Sequence, residues 1–199
     1  MIKDELSQGL VQVYTGNGKG KTTCSLGLGL RAAGHGFQVE VIQYMKGSSY
    51  TGELFSTERL PNFNIKQFGK GCPYDSGIRQ GLMDCQGCGE CFYKGSDEKD
   101  KKIHQNFVKW AYEYTVDLLK ENNKDVVILD EINNALRYEL LTVEEVLELI
   151  ELKGEKIELI LTGRGMPEEI IKRADLVTEM KEVKHPYQQG IKSRRGIEY

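Results

Sequence analysis

The run Thr15-Gly16-Asn17-Gly18-Lys19-Gly20-Lys21-Thr22-Thr23 constrains this chain more than any other. A short apolar stretch, residues 10–14, leads into it, and a stretch with helical spacing, residues 21–33, leads out. Three glycines let the backbone turn several N–H groups toward one point, and a helix starting there adds the positive end of its dipole. Strand, glycine loop and helix in that order form a cradle for a phosphate chain, so the segment reads as a P-loop. In that reading Gly16, Gly18 and Gly20 shape the cradle, with Asn17, Lys19 and Thr23 beside it. Lys21 reaches phosphate oxygens, and the Thr22 hydroxyl ligates Mg²⁺. The usual spacing Gly-x-x-x-x-Gly-Lys-Thr places glycine at position 15. Here Thr15 stands there and the glycine is Gly16, so the loop is one residue shorter.

Beyond the loop, strand-like and helix-like stretches alternate, the pattern of a three-layer α/β fold with a mostly parallel sheet. Strands are expected at residues 37–45, 63–68, 125–129, 157–161 and 176–180. The first helix is expected to pack through Leu26, Leu30 and Ala33, and Cys24 reads as part of its core face. Residues 52–60 form a short helix before Pro61. The longest helix, 103–121, carries Ile103, Phe107, Trp110, Ala111, Tyr114 and Leu118 at spacings of three and four. Thr142 and Glu145 make a capping box, and Pro167 opens a short helix carrying Ile170 and Ile171. Residues 69–100, dense in glycine, cysteine and charge, read as an irregular insertion, and 185–199 as a tail or lid. No linker divides the chain, so residues 1–199 read as one domain.

The run Val126-Val127-Ile128-Leu129-Asp130-Glu131 is an apolar strand delivering two carboxylates at its C-terminal end. In a doubly wound sheet that end faces the phosphate loop, so Asp130 and Glu131 join Thr22 as candidates for Mg²⁺. The net charge of −3 gives no footprint for a nucleic acid. No segment has the length and apolarity of a membrane span or signal peptide, so the expected compartment is the cytoplasm. Cysteines there are reduced, metal-bound or catalytic.

Four stretches together resemble one family. The short loop from Gly16 to Thr23 is similar to that of ATP:cob(I)alamin adenosyltransferases of the P-loop, RecA-like type. So are Leu129-Asp130-Glu131-Ile132-Asn133-Asn134-Ala135-Leu136, then Leu161-Thr162-Gly163-Arg164. Last come Lys184-His185-Pro186-Tyr187, Gly190-Ile191 and Gly196-Ile197-Glu198-Tyr199. The resemblance implies transfer of the 5′-deoxyadenosyl group of ATP to Co(I) of a corrinoid, with release of triphosphate. It implies Lys21 and Glu131 as the catalytic pair, Arg164 as a nucleotide contact and His185 in a structural role. It further implies a flavin- or iron–sulfur-type reductant and a homodimer. Arg194 and Arg195 stand where the family more often has Ala-Gln, and read as an exposed basic tail. Rival readings are a P-loop kinase that releases ADP and an ATP-dependent corrinoid-binding protein that makes no Co–C bond.

The family's Gly-x-Gly-Phe-x-Trp corresponds to Gly69-Lys70-Gly71-Cys72-Pro73-Tyr74, which leaves Tyr74 as the aromatic expected at the corrinoid. Downstream, Asp84-Cys85-Gln86-Gly87-Cys88-Gly89-Glu90-Cys91 puts three cysteines at Cys-x-x-Cys-x-x-Cys spacing, with Cys72 as a fourth. That set suits tetrahedral Zn²⁺ or an iron–sulfur cluster, with free thiols as the alternative.

Overall fold

The computed structural model describes residues 6–93 and 98–199. Six strands form one open sheet: β1 (Val11–Thr15), β2 (Val39–Tyr44), β3 (Phe63–Phe68), β4 (Val126–Asp130), β5 (Glu158–Thr162) and β6 (Leu176–Glu179). Their order is β3-β2-β4-β5-β1-β6, and every pairing is parallel rather than mostly so. The C-terminal ends of β1, β2, β4 and β5 therefore lie along one edge, where the loops that follow them meet.

Successive residues along each strand point to opposite faces and feed two cores. Tyr14, Val39, Val41, Val126, Ile128 and Ile160 pack with Ala33 of α1 (Lys21–Gly34). Val11, Val13, Ile42, Val127, Leu129, Leu159 and Leu161 pack on the other face. That second core is closed by α4 (Glu98–Glu121), α5 (Ile132–Arg137), α6 (Val143–Leu152) and α7 (Glu168–Arg173). Each fully buried Ile or Leu contributes about 1.5–3 kcal/mol. Helix α6 starts as expected: Thr142 Oγ1 accepts from the Glu145 N–H, and the Glu145 carboxylate accepts from the Thr142 N–H at 2.7 Å. Two short helices, α2 (Gly52–Thr57) and α3 (Asp75–Arg79), lie beside the functional edge. No helix among the described residues is long and apolar enough to cross a membrane.

Several expectations need correction. Helix α1 packs through Ala33 and, partly, Leu26 as expected, but its other buried positions include Ser25 and Gly29, while Leu30 is 56% exposed and Cys24 is exposed rather than core. The cause at Gly29 is proximity: a Cβ there would lie 2.9 Å from the Phe63 ring, so that position takes no larger side chain. In α4 the buried stripe is His104, Val108, Ala111, Thr115 and Leu118, and Ile103 and Trp110 face outward. Of the two polar residues in that stripe, Thr115 has hydrogen-bond partners inside. The Thr115 hydroxyl donates to the Ala111 carbonyl and pairs with the Tyr44 hydroxyl, while the His104 ring lies tilted against Tyr93, centroids 5.0 Å apart, with neither ring nitrogen hydrogen-bonded among the described residues. The insertion is also less irregular than expected. It carries α3, anchored by buried Ile78 and by the Asp75 carboxylate, which accepts from the Ser49 N–H at 2.7 Å. Its end belongs to α4, and residues 94–97 of the expected insertion lie outside the described residues.

Candidate active site

The loop after β1 turns with φ 95° at Gly16 and φ 114° at Gly20, conformations glycine adopts without steric cost. Its first half lies against the chain beyond β6, where the Gly18 N–H donates to the Met180 carbonyl at 2.7 Å. A Cβ at Gly16 or Gly18 would sit 2.4 or 2.7 Å from that carbonyl oxygen, so neither position accepts a side chain. Lys21, 6% exposed, folds back over the loop and donates to the Gly16 and Gly18 carbonyls at 2.8 and 2.7 Å.

Across from the loop, Asp130 is fully buried at the end of β4. Its Oδ1 accepts from the Thr22 and Thr162 hydroxyls, both at 2.8 Å. Its Oδ2 accepts from Gln43 at 3.1 Å and from the Lys46 ammonium at 2.7 Å. Burial alone would raise the Asp130 pKa. Lys46 and the two hydroxyls outweigh it and hold the carboxyl below its ordinary value. Strand β5 stands between β1 and β4, so Thr162 at its end bridges the gap between loop and acidic strand.

The next residue, Glu131, has φ 59°, a left-handed conformation uncommon for a residue with a side chain. This turn separates two adjacent carboxylates: Asp130 stays behind Thr22, and Glu131 borders the open cavity. The Thr162 hydroxyl accepts from the Glu131 N–H at 2.9 Å, and Asn134 Nδ2 donates to the Glu131 carboxylate at 3.0 Å. Burial pushes the Glu131 pKa up, the neighbouring Asp130 charge adds to that, and Lys46, Lys21 and Arg164 oppose it. Burial pushes the Lys21 pKa down, with Glu131 opposing and Arg164 reinforcing.

The cavity they border encloses about 650 Å³. Gly18, Lys19, Gly20, Lys21, Thr22 and Thr23 form one wall, and Lys46, Glu131, Arg164 and His185 face them. Gly16 and Asn17 are not on its surface. Asn17 is exposed and borders a separate cavity of about 690 Å³, which shares Arg164 with the first. His185 is structural in its contacts: its Nδ1 accepts from the Tyr187 N–H at the start of the 3₁₀ turn Pro186–Gln189.

A third cavity, of about 400 Å³, lies directly beyond Lys46, Glu53, Glu198 and Tyr199, which border both it and the loop cavity. Cys72, Cys85, Cys88 and Cys91 all line it, together with Tyr50 and Tyr74. None of the four is in a disulfide. Among the described residues, no three His, Cys, Asp or Glu side chains stand as a group able to hold a metal ion. Tyr50 packs edge-on against Tyr199 with ring centroids 5.3 Å apart, whereas Tyr44 is fully buried in packing.

The segment 185–199 is a strap between the two cavities. Glu198 pairs with Lys19 of the loop at 2.7 Å and with Arg194 at 3.2 Å, and these partners hold its pKa at about 2. Arg195 is no free basic tail: it pairs with Asp84 at 3.2 Å and donates to the Ile78 and Met83 carbonyls. The Tyr199 hydroxyl donates to Asp84 and accepts from the Cys85 N–H at 3.2 Å. Sequence reasoning assigned no role to Thr162, Lys46, Glu198 or Tyr199. Thr162 lies inside the quoted Leu161-Thr162-Gly163-Arg164 segment, and Glu198 and Tyr199 inside the last one. Lys46 carried no signal, because a lysine after a strand is ordinary.

A glycine loop between strand and helix, with Lys21 and Thr22 set opposite an acidic strand end on a parallel sheet, defines a nucleotide-binding protein of the P-loop class. Residues 7–199 match the family described as ATP:corrinoid adenosyltransferase BtuR/CobO/CobP, and the chain belongs to that family. A corrinoid adenosyltransferase of Sinorhizobium sp is 35% identical over 193 residues, which cover 96% of this chain and 81% of that protein. Those of Pseudomonas aeruginosa and of Escherichia coli strain K12 are 32% and 31% identical. Each comparison covers 96% of this chain, with 84% and 86% of the respective relative.

Proposed function

We propose that this chain transfers the 5′-deoxyadenosyl group of ATP to the Co(I) centre of a corrinoid and releases triphosphate. The observation that carries the reading is the shared wall of Lys46, Glu53, Glu198 and Tyr199. A nucleotide gripped by the loop on one side of that wall can present its ribose to a second ligand on the other.

The cobalt lone pair forms the Co–C5′ bond, the C5′–O5′ bond breaks, and triphosphate leaves with the electron pair. Co(I) is already a strong nucleophile, so the protein has no proton to remove. Its work is to align the two substrates and to stabilise negative charge on the leaving group. Lys21, Lys19 and the loop N–H groups supply positive charge and donors where the triphosphate lies. Arg164 borders the same cavity from the opposite side.

The donor set fits Mg²⁺, which takes hard oxygen ligands and is usually held by one or two carboxylates plus substrate phosphates. Thr22 and Glu131 would hold it, with Asp130 fixing the Thr22 hydroxyl from behind. Bound there, Mg²⁺ supplies charge neutralisation for the phosphate oxygens. Tyr74, 46% exposed in the neighbouring cavity, is the aromatic side chain this reading places against the corrinoid. The reading also carries a flavin- or iron–sulfur-type donor that delivers cobalt as Co(I), a homodimer, and a cytoplasmic location.

The test mixes the protein, MgATP and a chemically reduced corrinoid under anaerobic conditions. The expected result is a light-sensitive adenosylcorrinoid spectrum with one triphosphate released per product. Release of ADP would mark a phosphoryl-transfer kinase. Binding of both ligands without a Co–C bond would mark a delivery protein. Either outcome overturns the proposal.

A further inference from the structure

We infer that Cys72, Cys85, Cys88 and Cys91 ligate a four-iron, four-sulfide cluster in the cavity beside the nucleotide site. Four of the chain's five cysteines line this one cavity, although α3 separates Cys72 from the other three in sequence. The fifth, Cys24, sits apart on α1. Convergence of every cysteine in a loop-rich segment onto one space is the signature of a shared ligand rather than of packing, for which scattered burial would serve.

The arrangement also favours one class of ligand. Four Zn–S bonds of about 2.3 Å around one ion hold the sulfurs about 3.8 Å apart. The four thiols line a cavity of about 400 Å³, which has room for a cluster core. A four-iron cluster places each thiolate on a different iron and so spreads the sulfurs over a wider perimeter. Three cysteines at Cys-x-x-Cys-x-x-Cys spacing with one remote Cys-Pro is the spacing such clusters use.

The backbone between the cysteines fits as well. Gly87 and Gly89 both take positive φ, 67° and 72°, on either side of Cys88. Left-handed residues alternating with ordinary ones curl a chain so that its N–H groups face a common concavity, which suits the anionic sulfides of a cluster. Around the rim, the Tyr50 hydroxyl lies 3.7 Å from Cys85 Sγ as a donor. A cationic iron core binds all four as thiolates, one proton leaving from each.

The inference is independent of adenosyl transfer, and its readout is metal content. The full chain is purified without oxygen, or its metal-free form is treated anaerobically with equal amounts of ferric and ferrous iron, and with sulfide. The expected result is about four iron and four sulfide per chain. A broad visible thiolate-to-iron absorption and an electron paramagnetic resonance signal after dithionite reduction accompany them. Cys72→Ser and Cys88→Ser lose the signal, and Cys24→Ser keeps it. One tightly held zinc per chain, two disulfides, or four titratable thiols that take up no iron would each overturn the inference. Because the decisive measurement is made on the unsubstituted chain, a serine variant that fails to fold leaves it intact. ATP binding measured on the same metal-free sample separates failure of the cluster from failure of the nucleotide site.

Discussion

Lys21, Asp130 and Glu131 are charged residues within one small region, and their surroundings give each a different task. Lys21 donates to two loop carbonyls and is almost without exposure, so it is placed before any phosphate arrives. Removing it as Lys21→Ala takes away hydrogen bonds from a charged donor, each worth about 1.5–3 kcal/mol. ATP affinity is expected to fall at least about tenfold, measured by calorimetric titration. Unchanged affinity and turnover would remove the loop from the site. Asp130 is a positioning group, with both oxygens filled by four donors. Asp130→Ala leaves Lys46 without its partner. The expected loss is up to about 3 kcal/mol, the low end for breaking a buried pair, because Lys46 keeps 28% of its side chain in water. Denaturant unfolding reads it. Glu131 is the residue whose protonation should show. Its folded pKa is raised, so it stays neutral to a higher pH than an ordinary Glu, near 4.3. The sign follows: MgATP affinity rises with pH above that ordinary value and levels off once Glu131 is ionised. Glu131→Gln should flatten that dependence, and a variant that keeps it would assign the titration elsewhere.

Among the elements, α1 shows why a helix face is hard to read from one sequence. Leu26 and Leu30 advertise an apolar stripe, yet only Leu26 packs, and only partly, while the buried positions are Ser25, Gly29 and Ala33. What decides at Gly29 is the distance to Phe63 on β3, a property of two elements rather than one. Gly29→Val should therefore destabilise by about 1–3 kcal/mol through overpacking, while Leu30→Ala should cost little. Thermal unfolding of the pair tests this, and the reverse ranking would mean that the helix seats itself differently. Helix α4 repeats the lesson: Thr115 lies inside because Tyr44 receives it, and His104 lies inside against Tyr93, contacts that no periodicity rule weighs. The short helix α3 buries Ile78 alone, too little apolar repeat to mark a helix in the sequence. By contrast the capping box of α6 and the apolar strands were legible, because their signals are local.

Across the whole molecule, the strap 185–199 links the phosphate loop, through Lys19 and Glu198, to the cysteine loop, through Arg195, Tyr199 and Asp84. Almost all of it lies on the surface outside both cores. Removing residues 194–199 should therefore shift Tm little. KM for ATP and for the corrinoid should both rise, because Glu198 and Tyr199 stand in the wall between the two cavities. An unchanged KM for both would leave the strap as surface decoration. The Lys19–Glu198 pair does not titrate in the working range, since Glu198 stays ionised down to about pH 2. Any pH effect on this closure must come from elsewhere.

By itself the sequence determined the parallel α/β layering, the phosphate loop and the acidic strand end. Each of these is written in a few neighbouring residues whose geometry is local: glycines that permit a turn, β-branched runs, a lysine and threonine at a helix start. Only the tertiary structure decided that Asp130 is a buried anchor and Glu131 the carboxylate at the cavity. It alone brought Lys46 and Thr162 onto that anchor, and it alone set the four cysteines, already grouped in the sequence, around one cavity beside the nucleotide site. Those relations join residues far apart in the chain, and the distances that create them exist only once the sheet edge has brought the loops together.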